Sequence, residues 1–249
     1  QWVGMENFRR FFNSFQFQTV VINTVKLSFY SLVFGFFPPI LLALMLNQVY
    51  ARSFKKFVQT VTYAPHFIST VVMVSMLFIF LSPRNGIVNI IIKALGGEAI
   101  DFMGSPSLFR TIYVVSDIWQ HVGWMSIIYT AALTGISQEL YEAAIIDGAN
   151  RLQRIRNIEI PGILPTAVIL LILRSGNIMN VAFHKVFLMQ TPLNLSQSQV
   201  ISTYVYQVGL RNADFSFATA VGLFNSVINF AMILLVNAIS RRVSEIGLW

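Results

Sequence analysis

The sequence contains no cysteine, only three histidines and few charged residues. Without cysteine the chain can form neither a disulfide nor a thiolate metal site. It also lacks the closely spaced His-x-x-His or Glu-x-x-His pair that is typical of a helical zinc site. Charged residues make up 11% of the chain, against about 25% in soluble proteins. We therefore expect no metal site, and a surface that mostly does not face water.

Motifs for nucleotide binding and for catalysis are missing too. No Gly-x-x-x-x-Gly-Lys-Ser/Thr loop occurs, so we expect no ATP site on this chain. No Gly-x-Ser-x-Gly elbow occurs either. Catalysis inside a membrane would need paired acids or a Ser/His set, and Asp117 is the only acid within the apolar runs predicted below to span the membrane. No soluble module that could recognise nucleic acid is present. We expect a chain that is not an enzyme, with no catalytic residue and no cofactor of its own.

What the sequence has in abundance is long apolar runs. Hydrophobic residues make up 55% of the chain, and the mean hydropathy is +0.67. A helix needs roughly 20 apolar residues to cross a bilayer core. We predict an all-α, polytopic membrane protein, with residues 17–249 forming a single transmembrane domain. Its predicted spans are about 19–46, 58–81, 108–133, 160–178 and 215–239.

Residues 1–16 differ from the rest of the chain. Their apolar residues at 8, 11, 12 and 15 have helical spacing beside two arginines, which predicts a short amphipathic helix in the membrane interface. A fragment of a longer upstream loop is an equally weighted interpretation. In the second span, the lone His66 follows Pro65 and is predicted to be packed and hydrogen-bonded.

The net charge of +7 is explained by basic loops on the cytoplasmic side of a membrane. We place residues 47–57, 137–160 and 241–242 on that side. These inner segments hold eight Lys and Arg residues and the outer segments seven, so the raw counts barely decide the orientation. The inner loops are much shorter, and the density of positive charge therefore favours this choice.

The third predicted span carries polar residues on one helical face. Asp117, Gln120, His121 and Trp124 recur at helical spacing, and a carboxylate at bilayer depth should face the protein interior or a wet cavity. Hydroxyl-binding groups beside an aromatic ring suit a sugar. The alternative is that these side chains hold helices together.

The end of the fourth span adds three candidates for the same pathway. Arg174, Asn177 and Asn180 lie among small residues, which suggests that backbone approaches a cavity there. Arg174 is predicted to pair with Asp117 or to meet an acidic substrate. Simple exit of the chain from the membrane at Arg174 is an equally weighted interpretation.

The polar stretch 137–160 contains the most specific pattern. Glu142-Ala143-Ala144 is followed after three residues by Gly148, after nine more by Ile158, and then by Pro161. Ser137 is predicted to cap a short helix at its start and Gly148 to end it. The spacing resembles the EAA loop of permeases from binding-protein-dependent ABC importers. Ile160 stands where that family usually has Leu, a mild departure.

Further segments carry the resemblance along nearly the whole chain. Asp147 and Ala149 around Gly148 match the form common in carbohydrate permeases, and residues 2–8 are similar to their W-x-G-L-x-N-F segment. Residues 218–224 and 244–249 resemble the LplB-like subgroup. Members of that subgroup are associated with complex oligosaccharides, including acidic, uronate-containing ones derived from pectin or alginate. The resemblance implies the type I ABC importer fold, with six spans of which one precedes this chain.

The resemblance also implies partners and a mechanism. A solute-binding protein delivers an oligosaccharide, and a second homologous permease subunit completes a heterodimer in the lipid of the bacterial cytoplasmic membrane. Two cytoplasmic ATPase subunits bind ATP and Mg, and alternating access moves the substrate. No nucleic acid is expected as a partner. The residues implied for ATPase coupling are Glu142, Ala143, Ala144, Asp147, Gly148 and Ala149.

Two other functions are weighed against this interpretation. A secondary transporter or channel acting without ATPase subunits would need more ion-binding groups at membrane depth than Asp117, Lys26 and Arg174, and it would not explain the loop. A membrane enzyme is disfavoured by the lack of a catalytic set.

Overall fold

The computed structural model describes residues 3–176, 179–180 and 183–244, and every regular element within them is helical. This confirms the predicted all-α class. The longer helices are α2 (Phe15–Asn47), α6 (Pro106–Thr134), α9 (Ile160–Ser175) and α13 (Phe215–Ser244). The shorter ones are α1 (Glu6–Phe12), α3 (Arg52–Tyr63), α4 (Thr70–Phe80), α5 (Ile87–Ala94), α7 (Gln138–Ile146), α8 (Arg151–Arg154), α10 (Phe183–Met189), α11 (Leu195–Ser198) and α12 (Ile201–Tyr206).

Three helical stretches among the described residues are long and apolar enough to cross a membrane: Phe15–Asn47, Arg151–Ser175 and Phe215–Arg242. A fourth is counted if α3 and α4, with the turn between them, form one broken span. Helix α6, at the predicted third span, has 29 residues but is not among these three stretches. Along α2, Phe29, Phe34, Phe37, Leu41 and Met45 are exposed, as expected of side chains that face lipid.

The run predicted as the second span, 58–81, is not one helix. Helix α3 ends at Tyr63, a tight turn covers Ala64–Phe67, and α4 begins at Thr70. Pro65 lacks the backbone N–H that an α-helix would use. Ser69 then caps α4, with its hydroxyl accepting a hydrogen bond from the Val72 N–H at 3.4 Å. The break follows from this local chemistry.

The first of two compact units contains Gln1–Ser31, Ile68–Val115 and Asn177–Met232. Its core is aromatic: Phe11 of α1 is fully buried, with its ring centroid 5.0 Å from that of Phe17 and 6.3 Å from that of Tyr204. Buried amides tie the loops to this core. Asn194, for example, donates hydrogen bonds to the carbonyls of Met103 and Met189. The helix predicted within residues 1–16 is therefore present, and its place at a membrane interface stays a prediction.

The second unit contains Leu32–Phe67, Ser116–Gly176 and Ile233–Trp249. Its core packs Ala43 and Leu44 of α2 against Tyr129 and Leu133 of α6 and Ile163 of α9. Helix α6 also lies close to the end of α3 at Gly123. A Cβ atom added at this glycine would overlap the carbonyl oxygen of Thr62. This contact fixes the part of α6 that carries the predicted polar face.

Candidate functional site

The predicted loop helix is α7, and the sequence encodes both of its ends. The Ser137 hydroxyl accepts a hydrogen bond from the Glu139 N–H at 3.3 Å. At the other end, Gly148 has φ +75°, a conformation that costs an L-residue roughly 1–2 kcal/mol. The N–H groups of Gly148 and Ala149 donate to the carbonyls of Ile145 and Ala144. These two bonds form a Schellman motif, so the predicted cap residues are both confirmed.

Helix α7 exposes the predicted coupling residues. Glu142, Ala143, Asp147 and Gly148 are exposed, and Ala144 and Ala149 are partly covered. Beside them, Leu140, Ile145, Ile146 and Leu152 are exposed by 54%, 56%, 86% and 73%. An exposed group of apolar side chains next to charged ones is typical of a surface that contacts another protein or the membrane.

The second half of the motif holds an anchor that the sequence interpretation missed. Glu159 ends a wide helical turn (Ile155–Glu159) and is 1% exposed. Its Oε1 accepts hydrogen bonds from Asn47 at 2.9 Å and from Gln48 at 2.7 Å. Burial, with a smaller contribution from the neighbouring Glu159 charge, raises the pKa of Tyr141 in α7. The carboxyl group therefore ties the end of α2 to the loop.

The predicted polar face of α6 is assembled around a residue from outside it. His121 Nδ1 lies 3.0 Å from the Asp117 carbonyl oxygen and 3.5 Å from its Oδ1. Trp124 is 42% exposed, and its ring stacks on His66 with centroids 4.5 Å apart and planes 3° from parallel. His66 also lies edge-on to His121 at 5.5 Å. Asp117, His121 and Trp124 thus form one accessible surface, whereas Gln120 is buried.

His66 belongs to this surface, and the sequence analysis predicted only that it is packed and hydrogen-bonded. Its Nδ1 is buried and has no hydrogen-bond partner among the described residues. The signal that could have found it is the Pro65 break, because irregular backbone at membrane depth is tolerated where it lines protein or a cavity.

Arg174 has a contact that its sequence position did not suggest. Its guanidinium donates a hydrogen bond to the Gly35 carbonyl at 3.1 Å. In a regular helix this carbonyl would accept from residue 39, and residue 39 is a proline without an N–H. Arg174 therefore satisfies an acceptor that Pro39 leaves open. Arg174 and Asp117 also line one small cavity of about 10 Å³, room for roughly one water molecule.

The remaining predicted pathway residues lie elsewhere. Asn177 falls outside the described residues. Asn180 belongs to the first unit, where its side-chain oxygen accepts a hydrogen bond from Asn225 at 2.8 Å. Within the described residues, no group of three or more acidic or histidine side chains could hold a metal ion. Of the motif segments, residues 1–2 and 245–249 also fall outside the described residues.

Comparison with known proteins places the chain among transport proteins. Residues 27–245 match the family described as binding-protein-dependent transport system inner membrane component. Protein LplB and the polygalacturonan/rhamnogalacturonan transport system permease protein YteP, both of Bacillus subtilis (strain 168), are each 40% identical over 249 residues, covering 100% of this chain and 78% of each relative. A solved bacterial alginate ABC transporter, in complex with alginate pentasaccharide-bound periplasmic protein, contains a similar chain. The TM-score is 0.96 with 43% identity, covering 100% of this chain and 86% of that one.

Proposed function

This chain belongs to the binding-protein-dependent transport system inner membrane component family, and from that membership we propose how it works. It is the multi-pass permease subunit of an ABC importer for oligosaccharides in the bacterial cytoplasmic membrane. The type I permease fold, implied by the resemblance of the loop motif, and the likeness to LplB, predicted from residues 218–224 and 244–249, are confirmed. The observation that carries the mechanism is α7, a capped helix with an exposed, partly apolar surface.

Helix α7 is the coupling helix in this proposal. A short helix fixed at both ends moves as a rigid body, so it can carry the motion of a partner into the membrane domain. Its exposed Ile146 supplies apolar contact, and Glu142 and Asp147 supply charge for orientation. The partners are two cytoplasmic ATPase subunits that bind ATP and Mg. This chain itself performs no catalysis and carries no cofactor.

The substrate pathway includes the surface formed by Asp117, His121, Trp124 and His66. Stacked rings offer a flat apolar surface to a sugar ring, while the carboxylate and imidazole offer hydrogen bonds to hydroxyl groups. A second homologous permease subunit supplies the rest of the pathway, and an extracytoplasmic binding protein delivers the substrate. Gln120 acts through packing, because its side chain is buried.

The substrate in this proposal is an acidic, uronate-containing oligosaccharide. The support is the similarity to a permease named for polygalacturonan and rhamnogalacturonan and to a transporter named for alginate. Both names refer to acidic polysaccharides. Transport assays with matched uronic and neutral oligosaccharides test this: faster uptake of the neutral compound would contradict it.

The coupling role is tested by co-purification. We expect Glu142→Lys to reduce the amount of ATPase recovered with the tagged permease and to reduce uptake, because it reverses the charge on the exposed surface of α7. Glu98→Lys, at an exposed position on the predicted outer side, is the matched control. Full ATPase recovery and full uptake in Glu142→Lys would contradict the proposal and favour a transporter that works alone.

The pathway role is tested on the assembled complex. We expect Asp117→Ala and Trp124→Ala to lower uptake and stimulated ATP hydrolysis while the complex still assembles. Ile128→Ala is the control, because Ile128 is comparably exposed on α6 at 42% but carries no polar or aromatic group. Unchanged transport in both variants would assign the polar face to helix packing instead.

A further inference from the structure

The first unit contains a polar cavity that neither the loop motif nor the pathway residues account for. It lies among α1, the start of α2, α12 and the start of α13, and its volume is about 370 Å³. That volume is within the roughly 300–1,000 Å³ of small-molecule sites. Gln16, Gln199, Gln207, Asn212 and Tyr204 line it. Four amides and a phenol thus converge on one space.

These lining groups have hydrogen-bonding capacity to spare. The Gln199 amide nitrogen donates to the Gln207 oxygen at 3.3 Å, which leaves the Gln199 oxygen and the Gln207 nitrogen available. The side chains of Gln16 and Asn212 make no hydrogen bond to another described residue. Amides both donate and accept, as a hydroxyl group does, so this set suits a ligand with several hydroxyl groups.

The charge at the cavity argues against a phosphate ligand. Among the described residues that line the cavity, Arg10 is the one with a positive charge. Its guanidinium is 2.6 Å from the Asp214 carboxylate and 4.5 Å from the centroid of the Phe217 ring. The Asp214 carboxylate compensates this positive charge. A phosphate, whether free or in a lipid headgroup, is bound best by uncompensated Arg or Lys. The hydroxyl groups of a sugar unit bind to amides instead, and the carboxylate of a uronate unit then lies outside the cavity.

We propose that this cavity is a saccharide subsite, binding one or two sugar units of the transported oligosaccharide through their hydroxyl groups. It rests on the proposed function, because it assigns the cavity to the same substrate. The amides of Gln16, Gln199, Gln207 and Asn212 bind the hydroxyl groups, and Tyr204, largely buried in the aromatic core, lines the cavity with the part that the core leaves uncovered. The subsite belongs to segments predicted on the outer side of the membrane, where the binding protein releases its cargo.

The test measures binding of a uronate trisaccharide to the complete transporter in nanodiscs, without the binding protein, by saturation-transfer NMR. The double variant Gln207→Met and Asn212→Ala removes two hydrogen-bonding amides and should raise the Kd roughly tenfold. Gln16→Met, from a different element, should weaken binding in the same direction. Gln197→Met, on α11 and outside the cavity lining, should leave the Kd unchanged.

Stimulation of ATP hydrolysis by the loaded binding protein is measured on the same samples. If the loaded binding protein stimulates ATP hydrolysis in neither the wild type nor any variant, the proposed function fails. If stimulation is normal but the wild type binds no trisaccharide, or neither cavity variant changes the Kd, the saccharide subsite alone is overturned. It is also overturned if adding phosphatidylglycerol to the nanodisc displaces the trisaccharide, because the cavity then takes a lipid headgroup.

Discussion

At the scale of single residues, long polar side chains of the second unit form hydrogen bonds with backbone and amide groups that would otherwise have no partner. Arg174 donates a hydrogen bond to the Gly35 carbonyl, because Pro39 has no backbone N–H that could do so. Glu159 accepts hydrogen bonds from the side chains of Asn47 and Gln48. A buried polar group without a partner costs about 1–3 kcal/mol. These residues therefore hold helices in place whether or not they also meet the substrate.

Replacing Glu159 tests its role as an anchor. Glu159→Ala removes the acceptor of two amide donors, and we expect it to destabilise the permease by about 1–3 kcal/mol. Glu159→Gln keeps one side-chain oxygen and should cost less. Thermal unfolding of the purified complex measures both. Glu139→Ala, at an exposed position of α7, should not shift the melting temperature, and equal shifts in all three variants would contradict an anchoring role.

At the scale of elements, short polar helices are defined by their ends and long apolar ones by their length. Helix α7 has a hydroxyl cap at Ser137 and a left-handed residue at Gly148. Helix α13 begins after Asp214, whose Oδ1 accepts a hydrogen bond from the Phe217 N–H at 3.2 Å. Asp214 also holds α1 through Arg10. One carboxylate thus fixes the start of α13 and the position of α1.

The end of α7 depends on the conformation of Gly148. Apart from its own chain neighbours, no atom lies within 4 Å of a Cβ placed there, so Gly148→Ala should cost only the left-handed conformation, roughly 1–2 kcal/mol. Asn tolerates this conformation better, so Gly148→Asn should be milder. We expect ATPase recovery to follow the order Gly, Asn, Ala. Gly135→Ala, between α6 and α7 and without a positive φ, is the control. A loss of ATPase recovery there as large as in Gly148→Ala would contradict the explanation.

The pairing of α1 with α13 should depend on pH. The hydrogen bond from Arg10, aided by the Phe217 N–H, lowers the pKa of Asp214 from its ordinary value of 3.8. A lowered pKa in the folded state stabilises the protein above the ordinary value, and this contribution is lost as pH falls through the lowered value. Asp214→Asn keeps a capping oxygen but not the charge.

We therefore expect wild type to melt above Asp214→Asn at neutral pH, and the difference to shrink as pH falls below about 3.8. Thermal unfolding in detergent across that range measures the difference. Glu98→Gln, which removes an exposed carboxylate in another segment, serves as the control. A difference between wild type and Asp214→Asn that stays constant with pH would show that the ion pair does not stabilise the fold.

At the scale of the whole molecule, the chain covers itself with apolar side chains and confines charge to short segments. Exposed Phe, Leu and Ile residues line the long helices, because lipid solvates them as well as a protein core does. Each of α2, α6 and α13 contributes residues to both compact units. The loop with α7 and the segment between α5 and α6 are predicted on opposite sides of the membrane.

That orientation can be measured directly, because the wild-type chain has no cysteine. We expect Glu98→Cys to react with a membrane-impermeant maleimide in intact cells. Gln138→Cys, on α7, should react only after the membrane is permeabilised. Both positions are exposed on this chain, and the reaction of Gln138→Cys after permeabilisation excludes coverage by the ATPase as the reason for a difference. Labelling of Gln138→Cys in intact cells would reverse the predicted orientation.

Much of the loop 137–160 could be predicted because its information is local. Ser137, Gly148 and the spacing to Pro161 act within a few residues, and the structure has the caps where the sequence predicts them. The polar face of α6 was predicted from helical periodicity, and three of its four residues are accessible. Periodicity assigns a face only to within a turn, which is why Gln120 was grouped with residues that it does not accompany.

The sequence by itself determined that this is an all-helical membrane protein with a short capped helix in the loop 137–160, since composition, span length and motif spacing each act along the chain. The tertiary structure decided which groups meet. Glu159 binds Asn47 from 112 positions away and Arg174 binds Gly35 from 139, and His66 completes the surface of Trp124 only because Gly123 lets α6 approach α3. Such contacts depend on how helices pack, and no local pattern encodes that packing.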